Sequence, residues 1–377
     1  MTLSRRKFLR NSAITAGAVP FALTAGVDYC EAAANPDIDL SMGFPDDAIR
    51  LCWNENTLGP SPKAIEAAKD AVSLSHRYAL GDELVPHLAD YLGIDGDWIL
   101  MGTGSSEILR LAPVAYARHG GNVVGALETW GGLLLVAKNL GVDVRRIPLK
   151  QEEGYAYDID GMLDAVDSDT RLFVLVTPNN PTGGVLSYDE IKHIADSLPK
   201  DVLFVLDQAY VDYQDDRRSG AELIKQGYDN VLVTHTFSKS FALAGLRVGY
   251  GMAHPDVLKT IRQFGSGPGS ISIVAFAAVL ASLGDPGHVA KSRAHVKATR
   301  QYFENELSDM GLNYVSGPAP FILIELGDQS KAVFDELERR HVYITHGNSW
   351  HLPNHVRVSY GTEEENQAFF SAFKEIL

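Results

Sequence analysis

Short, nearly continuous apolar runs alternate with amphipathic stretches along most of this chain. The apolar runs are Trp98–Met101, Asn122–Leu127, Val142–Pro148, Leu172–Thr177, Val202–Asp207, Val231–Thr236 and Arg247–Ala253. Between them, apolar positions recur at helical spacing over Glu107–Arg118, Leu133–Leu140 and Ser187–Ser197. Strands buried on both faces lose the polar–apolar alternation of half-exposed ones. The pattern therefore predicts an α/β domain over roughly residues 75–275, with a mostly parallel seven-stranded sheet covered by helices on both faces. Past Ser272 the pattern changes. A long helical stretch, Gly287–Met310, precedes short strands near Phe321–Glu325, Val342–Thr345 and His355–Ser359, and a closing helix starts from Thr362. This predicts a small α+β domain over residues 276–377, which the segment 45–74 joins.

The first 34 residues read differently. Ser4-Arg5-Arg6-Lys7-Phe8-Leu9-Arg10 is basic, Asn11 to Val27 is apolar and weakly polar, and Ala32-Ala33-Ala34 offers small residues for cleavage. The paired arginines followed by Phe-Leu resemble a twin-arginine export signal, which implies an exported or periplasmic protein cut after Ala34. The run is too short and too polar for a stable membrane span.

Composition narrows the partners. The 377 residues carry a formal net charge of −15, which argues against binding nucleic acid or an anionic membrane through bulk charge. An anionic ligand needs a local cationic pocket. Cleavage after Ala34 would remove Cys30 and leave Cys52 alone, so neither an internal disulfide nor a cysteine-based metal site is expected. We expect no metal.

Candidate chemistry is concentrated after the strands. Thr236-Phe237-Ser238-Lys239 closes a buried run, with Arg247 eight residues beyond the lysine. An amine there can form a Schiff base, and one cation with two hydroxyls makes a phosphate clamp. A Ser-Lys pair alone is more often a surface turn. Upstream, Asp207 ends a strand in Asp207-Gln208-Ala209-Tyr210. By itself it reads as a helix cap, though a buried carboxylate would need a cationic partner. Thr177-Pro178-Asn179-Asn180-Pro181-Thr182-Gly183 is a turn that presents side-chain amides. Gly102-Thr103-Gly104-Ser105-Ser106-Glu107 opens a helix whose free N–H groups suit a phosphate.

Taken in this order and at these intervals, Asn-Asn-Pro-Thr-Gly, Asp-x-Ala-Tyr and Ser-Lys followed by Arg resemble the fold-type I, pyridoxal-phosphate-dependent aminotransferases. The opening Trp53-Asn54-Glu55-Asn56-Thr57-Leu58-Gly59-Pro60 and the ending Val356-Arg357-Val358-Ser359-Tyr360-Gly361-Thr362 resemble the histidinol-phosphate branch. The resemblance covers the chain from about residue 50 to its end. It implies that Lys239 binds pyridoxal 5'-phosphate as a Schiff base and moves the substrate proton. Asp207 would pair with the ring nitrogen, while Asn180 and Tyr210 bond the ring oxygen. Gly104, Ser105 and Ser106 would hold the phosphate from one side, and Thr236, Ser238 and Arg247 from the other. Trp130 would stack on the ring. Tyr78 would reach the phosphate of a neighbouring subunit, which implies a homodimer with composite sites. Asn54 and Arg357 would contact the substrate, with Arg357 on its α-carboxylate.

The implied activity is transfer of an amino group between an α-amino acid and a 2-oxo acid. Elimination, decarboxylation or cyclisation of an amino acid on the same cofactor is the alternative. Relatives of the histidinol-phosphate branch usually carry a further arginine, about a dozen residues before the carboxylate arginine, for the substrate phosphate. Here Thr345-His346-Gly347-Asn348-Ser349-Trp350-His351-Leu352-Pro353 contains neither arginine nor lysine, Trp130 is unusual, and Gln208 replaces an acidic residue. Histidinol phosphate is therefore expected to be a poor substrate.

Overall fold

The apolar runs of the first half become strands that lie side by side in one sheet. The computed structural model describes residues 43–215 and 220–377, so the expected export signal lies outside the described residues. Contacts divide the chain into Met1–Asp46 and Asp47–Leu377, and everything that follows concerns the second unit.

The described strands are β1 (Ile49–Arg50), β2 (Ile99–Gly102), β3 (Asn122–Ala126), β4 (Asp143–Ile147), β5 (Thr170–Val176), β6 (Leu203–Asp207), β7 (Val231–Thr236), β8 (Gly249–Ala253), β9 (Tyr314–Ser316), β10 (Phe321–Glu325), β11 (Val342–Tyr343), β12 (Thr345–His346) and β13 (His355–Ser359). Seven of them form the large sheet, in the order β2-β8-β7-β6-β5-β3-β4. Only β8 runs against its neighbours, so the sheet is mostly parallel, as the unbroken apolar runs predict.

Register decides where chemistry can gather. Val176 pairs with Asp207, Asp207 with Thr234, Thr236 with Gly249, and Gly249 with Gly102. The carboxyl ends of β2, β5, β6 and β7 therefore meet at one edge, the place where open α/β sheets bind ligands.

Helices cover the large and the small sheet and carry their own start signals. They include α1 (Pro62–Val72), α2 (Ser105–Tyr116), α3 (Gly132–Asn139), α4 (Tyr188–Ser197), α5 (Pro255–Arg262), α6 (Ile273–Leu283), α7 (Pro286–Asp309), α8 (Ser330–Arg339) and α9 (Glu363–Ile376). Ser61 caps α1 ahead of Pro62, and reciprocal Ser187–Glu190 and Thr362–Glu365 pairs begin α4 and α9.

Three apolar clusters divide the described interior, one of them, with Leu100, Ile108, Val174, Val205 and Leu232, lying against the opposite face of the large sheet from the other sheet cluster. That other sheet cluster takes in Phe173, Phe204 and Leu206 together with Ala64 of α1 and Ala275, Ala278 and Val279 of α6. The third cluster joins Leu51, Phe303 and Leu307 to Phe321, Ile324, Val356, Val358, Phe369 and Phe373. It underlies a four-stranded antiparallel sheet, β12-β13-β10-β9, while β1 pairs with β11 apart from it.

The expected single strand Val342–Thr345 is divided. Val342 and Tyr343 pair with β1, whereas Thr345 and His346 pair with β13, so the chain changes sheets at Ile344. The sequence pattern also misses β9. It has three half-buried residues, too few to show an alternation. No single described helix is long and apolar enough to cross a membrane.

Candidate active site

Asp207 stands at the end of β6, in the middle of the sheet edge, and is 5% exposed. Its Oδ1 accepts from Thr234 Oγ1 at 3.1 Å, and the Ala209 amide also donates to its carboxylate. Burial pushes the carboxyl up to about 6, against the pull of these donors and of Lys239. The helix-cap reading thus accounts for one hydrogen bond and leaves the buried charge unexplained.

Lys239 follows β7, two residues after Phe237 begins the turn, and its amine lies in the same recess. Nζ donates to the carbonyls of Trp53 and Asn54 at 3.1 and 3.0 Å and sits 5.7 Å from the Tyr210 ring centre. Burial, then the nearby Arg357 guanidinium, lowers its pKa to about 8. An amine so perturbed is easily neutralised, as a nucleophile and proton carrier must be. The turn that carries it is gripped from behind. Asn56 Nδ2 donates to the carbonyls of Lys239 and Ser240 at 3.1 and 3.2 Å, and Ser292 Oγ donates to Ser240 at 2.8 Å.

Beside the lysine the expected phosphate clamp assembles. Thr236 Oγ1 donates to Ser238 Oγ at 2.9 Å, and Arg247 Nη1 lies 3.4 Å from the same oxygen. Opposite them α2 begins at Ser105, after Gly104 with φ +80. A Cβ on Gly104 would come within 2.6 Å of Arg247 Nη2, so a side chain there would displace the guanidinium. Ser105 is buried beside it.

The other wall comes from distant segments. Tyr210 is buried, its hydroxyl is pushed above the ordinary range by desolvation, and it accepts from Asn54 Nδ2 at 2.9 Å. Asn54 adopts φ +54 and accepts from Ser359 Oγ at 2.9 Å. Arg357 on β13 is 4% exposed. Its Nη1 donates to Asn180 Oδ1 at 2.6 Å, and its Nη2 donates to Thr345 Oγ1 at 3.1 Å and to the Cys52 carbonyl. The guanidinium lies 4.8 Å from the Trp350 ring and 5.4 Å from Phe321. Among the described residues no carboxylate pairs with it, and its buried Nε has no hydrogen-bond partner.

Asp207, Tyr210, Asn180, Asn54, Lys239 and Arg357 are thus brought together, with Gly104, Ser105, Thr236, Ser238 and Arg247 beside them. Ser106 follows Ser105 in the first turn of α2. Trp130 is half-buried just before α3, where its ring fills the space a Gly132 side chain would need. Tyr78 stands apart, 91% exposed. Sequence reasoning missed Asn56, Thr345, Trp350 and Ser359. The last could have been found from alternation, since His355, Arg357 and Ser359 share one face of β13.

Comparison with known proteins agrees with this geometry. Residues 46–373 match the family described as aminotransferase class I and II. The chain belongs to that family. It is 35% identical, over 90% of its length and 93% of the other's, to a histidinol-phosphate aminotransferase of Symbiobacterium thermophilum. A second histidinol-phosphate aminotransferase, from Cupriavidus pinatubonensis, is 35% identical over 96% of this chain and 98% of its own. A structure of histidinol-phosphate aminotransferase from Sinorhizobium meliloti, in complex with pyridoxal-5'-phosphate, superposes with a TM-score of 0.80 at 26% identity, covering 87% of this chain and 90% of that one. The chain is accordingly a pyridoxal-phosphate-dependent aminotransferase of fold type I.

The residues present fit the cofactor. A buried carboxylate held at about 6 calls for a cation, and the amine lowered to about 8 calls for a carbonyl. The Gly104 turn with its adjoining arginine makes a cradle that a Cβ would fill.

Proposed function

We propose that this enzyme transaminates a free α-amino acid, and that histidinol phosphate, the substrate in the names of its relatives, serves it poorly. Arg357 carries the reading. It is a buried cation with an unpartnered Nε, and directly across from it in the ladder stands neutral Thr345. One guanidinium suits one carboxylate, whereas a phosphate monoester holds close to two charges and calls for more donors. His346 cannot supply them. It turns to the opposite face, where its Nε2 lies 3.2 Å from Ser330 Oγ, and burial, followed by the Lys331 charge, lowers its pKa.

In this reading Lys239, Asp207, Asn180, Tyr210, Trp130, Thr236, Ser238, Arg247 and the Gly104–Ser106 turn hold the cofactor. Once bound, pyridoxal phosphate supplies an electron sink for the substrate's α-carbon. Arg357 orients the substrate through its carboxylate, and stacking between Trp350 and Phe321 keeps the guanidinium in place. Asn180 bonds Arg357 and faces the same recess, so it links the carboxylate and cofactor halves. Lys239 Nζ takes and returns the α-proton, and its lowered pKa keeps a neutral fraction available near pH 7. A stoichiometric half-reaction tests the chemistry. A free amino acid alone should convert the bound cofactor to its amine form; a lyase or cyclase would regenerate the starting spectrum.

Two further readings complete the proposal. Ile65, Val72, Leu74, Tyr78 and Leu80 are all exposed, an apolar strip that a second copy would cover, with Tyr78 reaching the partner's phosphate turn. Sedimentation of the mature enzyme should give a dimer that Leu74→Asp weakens. The paired Arg5 and Arg6 direct export, so replacing both with lysine should leave active enzyme in the cytoplasm. Finding the parent chain uncleaved and cytoplasmic would defeat that reading.

A further inference from the structure

Glu107 is the third residue of α2, in the turn where the cofactor phosphate is expected. A carboxylate is welcome there in an ordinary helix, because it offsets the partial positive charge of the free N–H groups. Here a dianionic phosphate is to occupy the same end, and a like charge one turn away opposes it. Glu107 thus imposes an electrostatic cost unless it does something else.

Its hydrogen bonds show what that is. Oε2 accepts from the Thr103 amide at 2.6 Å and from Thr103 Oγ1 at 2.7 Å, while Oε1 accepts from the Ser266 amide at 3.1 Å. Burial alone would raise its pKa, but the donors of Thr103 and Ser266 outweigh that effect and hold the carboxyl below its usual range. Both oxygens are occupied, and they join two separate segments. Thr103 precedes Gly104, whose positive φ turns the chain into α2 beside Arg247. Ser266 belongs to the loop behind Tyr78. In that loop a Cβ on Gly269 would meet Tyr78 Cδ1 at 3.7 Å, and the Pro268 carbonyl lies 2.8 Å from where a Gly81 Cβ would stand.

We propose that Glu107 is a positioning residue for the cofactor phosphate, fixing the Thr103–Ser106 turn and the Ser266 loop behind Tyr78 as one unit. The inference rests on reading Gly104, Ser105 and Ser106 as the phosphate turn. It assigns the carboxylate a role opposite in sign to its charge. As a charge it would weaken phosphate binding; as an organiser it strengthens it.

The test uses the cofactor-free mature enzyme and three probes: pyridoxal phosphate, inorganic phosphate, and pyridoxal, which lacks the phosphate. Glu107→Gln should raise the Kd for pyridoxal phosphate and for inorganic phosphate at least about tenfold and leave pyridoxal unchanged. Thr103→Val removes one bond without altering any charge and should raise the same two constants by roughly threefold. Unchanged or tighter phosphate binding in Glu107→Gln overturns the proposal, as does an equal loss for pyridoxal, which would mark a general structural defect. Should Glu107→Gln fail to fold, unchanged phosphate affinity in Thr103→Val overturns it. Arg247→Ala separates the two levels. If it leaves phosphate affinity intact, the phosphate turn itself is misassigned; if it weakens phosphate while Glu107→Gln does not, only the positioning role fails.

Discussion

The cofactor half and the substrate half of this site are built in opposite ways. Around the cofactor position several linked residues are close in the chain: Thr236 and Ser238 are 2 apart, Ser238 and Arg247 9, Asp207 and Thr234 27. Around the substrate position they are remote, with Arg357 bonded to Asn180 across 177 residues and to Cys52 across 305. Neighbouring parallel strand ends and the turns that follow them place a lysine, one side of the clamp and a carboxylate from short stretches of chain. The Arg357 pocket exists only once β13, β12 and the segment before α1 have packed together. Cofactor chemistry is therefore legible in local motifs, while substrate choice, on the function proposed above, depends on which residue tertiary packing sets opposite Arg357.

The sharpest blow to the cofactor half is Lys239→Ala. It should lower kcat by about 10⁴-fold or more and remove the visible absorbance of the lysine-bound cofactor, with the circular dichroism of the fold retained. Preserved colour and turnover would show the lysine is misassigned.

Asp207→Asn comes next, with kcat expected to fall roughly 10²- to 10³-fold while cofactor stays bound. Its stability has a sign of its own. Because burial raises the folded pKa from 3.8 to about 6, the protonated form is favoured, and stability is lost as pH rises through that range. In cofactor-free protein the asparagine variant should be the more stable at pH 7, by up to about 3 kcal/mol, and the gap should close near pH 4. Denaturant melts at the two values decide it; a gap that widens toward acid contradicts the assignment.

The substrate half should respond less in kcat and more in KM. Arg357→Ala should cost about a hundredfold in kcat/KM for an amino acid, chiefly through KM, because the lost interaction holds the substrate in ground and transition states alike. Thr345→Arg sharpens the comparison from the other side. A second guanidinium opposite Arg357 should raise kcat/KM for histidinol phosphate by roughly tenfold. No gain there would mean that position 345 does not set the preference. The smallest effect belongs to Tyr78→Phe, which should raise the cofactor Kd about threefold to tenfold in the dimer.

How far the sequence could be read follows the same division. The seven large-sheet strands were visible because burial on both faces makes each an uninterrupted apolar run, and Val231–Thr236 is predicted to the residue. Asp207, Lys239 and Arg247 were visible because strand ends hold them in a fixed order. Trp350 was not, since nothing local distinguishes an indole that will cover a guanidinium from one that fills a core. Thr345 was seen only as a missing arginine; its place directly across from Arg357 is a property of ladder register. Asn56 escaped notice because the lysine turn it grips lies 183 residues away.

The central claim is that one buried arginine, facing a neutral threonine, commits this aminotransferase to free amino acids. Measuring kcat/KM for histidinol phosphate beside a panel of free α-amino acids, basic and aromatic ones included, tests it most directly. The account predicts that at least one free amino acid exceeds histidinol phosphate, and that Arg357→Ala erases its advantage. Histidinol phosphate as the best substrate of the panel, or amino-acid rates indifferent to Arg357→Ala, would contradict it.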